Sequence, residues 1–123
     1  MDINEFKEKI RNFTVEEVKA VGSRVEDISP RVFYCLDSLR NNLGVPIKIT
    51  SLDQGVHVDG SYHNYGLAVD YRLLKYVPKN KVLQVMLDCG FRGIGVYHGF
   101  YHADVRDEYA LWKRVNGIYL PLI

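Results

Sequence analysis

The chain has few cysteines, no long apolar run and no excess of charge of either sign. Its 123 residues include two cysteines and one tryptophan, and 16 basic residues balance 15 acidic ones. Cys35 and Cys89 lack the close spacing of a structural zinc site, so we interpret both as small buried hydrophobes rather than as a disulfide. Without a basic run, nucleic-acid binding is not expected. The apolar stretches fall far short of the roughly 20 residues that cross a membrane.

The first residues and the length of the chain indicate what to expect of secretion and of the number of domains. The first residues, Met-Asp-Ile-Asn-Glu-Phe, offer neither a basic nor an apolar leader region, so we expect no secretory signal and synthesis in the cytoplasm. A chain of this length usually forms one domain, and its composition of 47% hydrophobic and 25% charged residues is ordinary for a globular protein. We therefore expect one domain over residues 1–123, acting as a monomer.

Hydrophobic periodicity predicts helices and strands that alternate irregularly. Helices are expected at residues 3–12, from Thr14 with a capping box to Glu17, at 29–44 and at 79–89. Strands are expected at 46–50, 67–73, 93–97 and 100–106, with a hairpin turn at Asn116-Gly117. This order predicts an α+β fold in which the amino-terminal helices cover one face of a small, mainly antiparallel sheet. The other face is expected to carry the functional site.

The stretch at residues 60–72 carries the first chemical signal. His63 and Asp70 are seven residues apart, and the small residues Gly66 and Ala68 lie between them. Alternation along the strand places Asp70 on the less apolar face. Aspartate is disfavoured in strands and costly when buried alone, so this position requires a compensating cation, either an arginine or a metal ion.

A second stretch, residues 95–106, carries the complementary signal. Alternation there sets His102 and Asp104 on one face. If the two strands are neighbours, His63, Asp70 and His102 converge, and two imidazoles with one carboxylate are the ligand count of a catalytic zinc. The alternatives are a histidine bonded to loop backbone, and a salt bridge from Asp104 to Arg106 or Arg72.

The residues of these two stretches resemble a family, the zinc-dependent D-alanyl-D-alanine carboxypeptidases and L-alanyl-D-glutamate endopeptidases, whose fold is shared with hedgehog domains. The resemblance covers roughly residues 33 to 115, including the Ile-Thr-Ser strand before the site. Its first motif, Ser-x-His-x-x-Gly-x-Ala-x-Asp, is matched by Ser61, His63, Gly66, Ala68 and Asp70. Its second block is matched by Gly93, Gly95, Tyr97, Phe100, His102, Asp104 and Trp112.

The resemblance implies a function and a cofactor. Zn²⁺ held by His63, Asp70 and His102 would serve the hydrolysis of peptide bonds in peptidoglycan stem peptides or cross-links. The implied setting is a bacteriophage lysin, or a virion-associated protein, acting at the cell wall. The alternative is a zinc-binding module of the same fold that recognises a partner without hydrolysis.

The general base departs from the family pattern. An acidic residue often precedes the last zinc ligand by three to six positions, but residues 96–99 read Val-Tyr-His-Gly. His98 and Asp104 are therefore the candidate bases, and Asp104 is favoured because it shares a face with His102.

The substrate-binding residues are less clearly marked. Where the family often has an arginine for a substrate carboxylate, this chain has Asp53 and Gln54. The candidates for contacts with the substrate are Ser61, Arg72, Tyr97 and His57, and Lys48 is an alternative to Arg72. Trp112 is assigned to packing.

Overall fold

The computed structural model describes residues 1–55 and 57–122. Within them it has four α-helices: α1 (Ile3–Lys9), α2 (Val15–Ala20), α3 (Pro30–Leu43) and α4 (Lys79–Asp88). Six strands follow the predicted order: β1 (Ile47–Ser51), β2 (Ala68–Leu73), β3 (Gly93–Tyr97), β4 (Phe100–Asp104), β5 (Ala110–Val115) and β6 (Ile118–Pro121). Every predicted element is present, and its ends differ from the prediction by at most three residues.

The helix ends form where local chemistry predicts them. Thr14 Oγ1 accepts a hydrogen bond from the Glu17 amide, and the Glu17 side chain accepts one from the Thr14 amide, which completes the capping box before α2. Helix α3 begins with Pro30 and ends at Gly44, whose φ of 69° is left-handed. Among the described residues, no helix has the length and apolar character needed to cross a membrane.

The sheet is mixed, with the strand order β1-β2-β4-β3-β5-β6. Four neighbouring pairs are antiparallel, whereas β3 and β5 run parallel. The parallel pair was not predicted, and its cause is geometric. Strand β4 already has β2 and β3 as neighbours, so β5 takes the free edge of β3. Because the chain reverses direction between β4 and β5, β5 runs antiparallel to β4 and therefore parallel to β3. The α+β class is confirmed, while the particular fold of the resembled family stays a prediction.

The two faces of the sheet have different chemistry. One face joins the helices in a continuous apolar core that includes Phe33, Leu36, Val69, Tyr71, Val82, Met86, Ile94 and Ala103. Helix α4 contributes to this layer together with the amino-terminal helices. The opposite face carries Asp70, His102 and Asp104, because side chains alternate along β2 and β4. The predicted separation of an apolar face under the helices from a face that carries these polar residues is therefore confirmed.

Gly66 joins the helical layer to the turn that precedes β2. Its φ is 69°, and a Cβ atom there would lie 2.2 Å from the carbonyl oxygen of Asp27. The Gly66 carbonyl also accepts a hydrogen bond of 2.8 Å from the Ser29 amide at the start of α3. Only glycine satisfies both the dihedral angle and the close backbone contact.

We expect Gly66→Ala to lower the free energy of unfolding by more than about 2 kcal/mol, because left-handed strain and a backbone clash add together. Urea denaturation measures this loss. Gly99→Ala is the matched control, since Gly99 has a φ of 83° but no atom within 4 Å of the point that an added methyl group would occupy. It should cost about 1 kcal/mol from strain alone. Equal losses in the two variants would show that the contact with Asp27 is unimportant.

Candidate metal centre

Three side-chain atoms form a small triangle on the polar face of the sheet. Asp70 Oδ1 lies 3.0 Å from His63 Nε2 and 3.0 Å from His102 Nδ1, and the two nitrogens are 3.2 Å apart. A tetrahedral ion with bonds of roughly 2.0 Å separates its ligand atoms by roughly 3.3 Å. The triangle is thus the right size for one face of such a tetrahedron, and the cluster could hold a metal ion.

Local structure positions each member of this cluster. Ser61 caps the short 3₁₀ helix Tyr62–Tyr65, and its hydroxyl accepts a hydrogen bond from the His63 amide. Asp70 and His102 are directly opposite each other in the β2–β4 pair. The short helix therefore brings His63 to the point where the two strands place the other two side chains.

In each histidine, the ring nitrogen that points away from the triangle already donates a hydrogen bond. His63 Nδ1 lies 2.8 Å from the carbonyl oxygen of Leu52, which can only accept, so this nitrogen carries the proton. His102 Nε2 lies 2.7 Å from Asp104 Oδ2, an ionised carboxylate, so it also carries a proton. In the neutral form of each histidine, the nitrogen nearer Asp70 consequently presents a lone pair toward it. A metal site has this arrangement: three lone pairs converge on one point, and a second hydrogen bond to each imidazole fixes the orientation of its ring.

The electrostatics of the cluster also require a positive charge. Burial opposes ionisation of Asp70, but hydrogen bonds from His102 and His63, together with their charge, outweigh it and lower its pKa to about 2. Burial likewise opposes protonation of His102, yet its bonds to Asp104 and Asp70 raise its pKa above the ordinary value. Without a metal ion, protons on the imidazoles supply the charge that a cation would otherwise supply.

Asp104 lies on the far side of His102 from Asp70 and is fully buried. Arg106 donates from Nε and Nη2 to the two carboxylate oxygens of Asp104, at 2.8 and 2.7 Å. Burial opposes ionisation of this carboxyl, but the bonds from Arg106 and His102 hold its pKa at about 2. Both oxygens of Asp104 are thus engaged by Arg106 and His102 and the side chain is buried, so its predicted role as general base is not supported. It orients His102, and the alternative of an Arg106 salt bridge is correct.

Two glycines of β3 make room for this arrangement. A Cβ atom at Gly93 would lie 2.1 Å from Asp104 Oδ1, and one at Gly95 would lie 2.7 Å from the indole of Trp112. Because both neighbours are held by other contacts, neither position accepts a side chain without displacing the site. The Gly-x-Gly pattern thus serves the packing of the cluster.

A cleft of about 540 Å³ opens over the three ligand atoms. One side is formed by four rings that we call the aromatic wall: Tyr97, Phe100, Trp112 and Tyr119. Tyr97 stacks on Phe100 with ring centroids 4.6 Å apart, and Trp112 Nε1 donates to the Tyr97 hydroxyl at 3.0 Å. The wall is therefore a connected and oriented surface beside the cluster.

Three of the predicted substrate residues, Ser61, Tyr97 and His57, do line this cleft. The His57 ring stacks on His63, with centroids 4.1 Å apart and planes within 7°. His57 Nε2 lies 3.1 Å from the Gln54 carbonyl, so this nitrogen is the donor. Among the described residues Nδ1 has no hydrogen-bond partner, which leaves its lone pair free.

Two other predicted residues lie outside the cleft. Arg72 is exposed and lies opposite Lys48 in the β1–β2 strand pair, near the edge of the sheet. The position of these two residues does not support the expected contact with substrate. His98 is exposed in the tight turn between β3 and β4 and lines a separate depression beyond that turn. The predictions of Arg72 as a substrate residue and of His98 as a base are therefore not supported.

The sequence interpretation missed the contribution of β5 and β6. Trp112, which was assigned to packing, lies 5.2 Å from the His102 ring and lines the cleft, as do Arg114 and Tyr119. The signal was partly visible, because Trp112 and Arg114 are two residues apart and share a face of β5. What was not visible is that β5 lies beside β3.

Comparisons with known protein families, with curated proteins and with solved structures found no match to this chain. The resemblance to the zinc peptidases therefore depends on its motif residues, and the site is interpreted from its own geometry.

We expect one divalent metal ion per chain at this centre. His63→Ala and Asp70→Ala should each abolish binding, because two remaining ligands hold an ion poorly. Elemental analysis after dialysis measures the metal content, and His98→Ala is a control that should retain it. Full occupancy in either ligand variant would eliminate the site.

Asp104→Asn tests a residue that orients a proposed ligand and does not itself bind the metal ion. Removing a carboxylate that orients a ligating histidine should weaken metal binding about 10-fold to 100-fold without abolishing it. Competition with a chelator measures the affinity, and circular dichroism confirms that the variant is folded. An unchanged affinity would show that Asp104 has no orienting role.

Proposed function

We propose that this protein is a zinc-dependent peptidase that hydrolyses peptide bonds in the stem peptides or cross-links of peptidoglycan. The observation that carries the proposal is the convergence of three lone pairs, from His63, Asp70 and His102, at the floor of an open cleft. A site with three protein ligands and an open fourth position is typical of catalytic rather than structural zinc. The resemblance of its motifs supplies the substrate class and the hedgehog-type fold.

The donor set favours zinc over other common ions. Magnesium and calcium prefer oxygen ligands, whereas two imidazole nitrogens and one carboxylate at tetrahedral spacing suit zinc. Bound zinc would polarise a scissile carbonyl and make a water nucleophilic near neutral pH. The protein's part is to hold this geometry, through the Leu52 carbonyl behind His63 and Asp104 behind His102.

In this proposal, two cleft residues assist the reaction. His57 is the one imidazole of the described cleft lining that is not a proposed ligand, and its free Nδ1 can accept a proton beside the cluster. The Tyr97 hydroxyl accepts a hydrogen bond from Trp112, and in this proposal it donates its own hydrogen to an oxygen that gains negative charge. Burial raises the pKa of Tyr97, which keeps that hydrogen in place at neutral pH.

The second candidate is a zinc-containing recognition module without hydrolysis. One observation favours it: among the described residues that line the cleft, Asp70 is the only carboxylate, and it is a proposed ligand. A free acidic base of the usual kind is therefore missing from the described part of the site.

Digestion of purified peptidoglycan separates the two candidates. The zinc-loaded protein should release peptide fragments with newly exposed amino groups and leave the sugar chains intact, because an amide carbonyl is attacked. Mass spectrometry identifies the products, and Asp70→Ala should release none. If walls of several cross-link types stay intact, the recognition module becomes the better interpretation.

The role of His57 has its own test. His57→Ala should keep its zinc but lose about 10²-fold to 10⁴-fold in turnover, the usual contribution of a positioned proton acceptor. His98→Ala is the matched control, and its turnover should be that of the wild type. A His57→Ala protein with full turnover would assign proton transfer to another group.

A further inference from the structure

The cleft contains two arginines in very different situations. The guanidinium of Arg106 is held by both oxygens of Asp104 and lies over the rings of Tyr62 and Trp112. The guanidinium of Arg114 lies 5.0 Å from the ring centroid of Tyr119, and it makes no ion pair with any described residue. Arg106 is therefore neutralised within the protein, whereas Arg114 presents an uncompensated charge.

The charges around the cleft add to this asymmetry. A divalent ion at the proposed centre exceeds the single charge of Asp70, and Asp104 cancels Arg106. The remaining net charge is positive both at the metal-loaded cluster and at Arg114. A cleft of one sign with apolar walls attracts ligands of the opposite sign, so this cleft selects an anionic ligand.

We propose that Arg114 binds a carboxylate group of the peptide that occupies the cleft. The guanidinium is planar and offers paired donors that match a carboxylate, and its contact with the Tyr119 ring favours a position beside the aromatic wall. Tyr119 in turn contacts Tyr97 edge to face, with centroids 6.4 Å apart, which joins this carboxylate site to the aromatic wall beside the metal centre. The choice of peptide as the ligand class follows from the proposed function.

Two carboxylates of a stem peptide could occupy the site: the one at the C-terminus and the one on the D-glutamate residue. Trp112 is the only tryptophan and lines the cleft, so its fluorescence reports binding directly. The zinc-loaded protein is mixed in a stopped-flow instrument with a synthetic stem pentapeptide, with the same peptide amidated at its C-terminus, and with the same peptide amidated at glutamate. The fluorescence is read before any hydrolysis. The wild type should bind one of the amidated peptides about tenfold more weakly than the parent, since a charge-assisted hydrogen bond is lost. The peptide that weakens identifies the carboxylate.

Substitutions at β5 complete the test. Arg114→Gln should abolish the preference for the carboxylate, and Arg114→Lys should retain part of it because the charge remains. Lys113→Gln removes the same charge from a neighbouring residue that does not line the cleft, and it should behave as the wild type.

Three results would overturn the proposal: no binding of the parent peptide, equal binding of all three peptides, or a preference that survives Arg114→Gln. Because binding is measured before any hydrolysis, this test is independent of the peptidase activity. If the fluorescence measurement shows a preference for the carboxylate that depends on Arg114 while purified peptidoglycan releases no peptide, the peptidase proposal is rejected and the carboxylate site is retained.

Discussion

The repulsion between three converging lone pairs is the constraint on which the site depends. His63 Nε2, His102 Nδ1 and Asp70 Oδ1 lie within 3.2 Å of one another in a largely buried position. Such an arrangement is unfavourable unless a metal ion lies among the three atoms or protons on the imidazoles turn the contacts into hydrogen bonds. The fold maintains it by engaging the opposite nitrogen of each imidazole, through a backbone carbonyl for His63 and a carboxylate for His102. The protein is therefore built to receive a positive charge at this point.

The residues that orient the metal ligands also shape the cleft. Asp104 occupies the space left by Gly93 and is held by Arg106, whose guanidinium lies 5.1 Å from the ring of Trp112. Trp112 donates to Tyr97, which belongs to the same wall. A change behind His102 would thus reach the aromatic wall of the cleft, because each of these groups supports the next. The candidate metal centre and the cleft wall share one network in this structure.

Asp104 shows that strand alternation predicts the face of a side chain but not its contacts. Alternation correctly places Asp104 on the face of His102, and the two side chains are in contact. It does not show on which side of the imidazole the carboxylate lies, nor that Arg106 occupies both of its oxygens. These facts depend on burial and on the empty space at Gly93. An acid that looks free in the sequence is consequently a fixed orienting group in the fold.

The sequence alone determined the features that arise from local chemistry. The capping box at Thr14, the end of α3 at Gly44, and the shared face of His102 and Asp104 along β4 follow from short-range geometry, and so does the α+β class. Only the tertiary structure decided that β5 pairs in parallel with β3, which brings Trp112 and Arg114 to the cleft, and that His98 and Arg72 lie outside it. The reason is that strand order and loop paths depend on pairings between residues distant in the chain, and local patterns carry little information about these pairings.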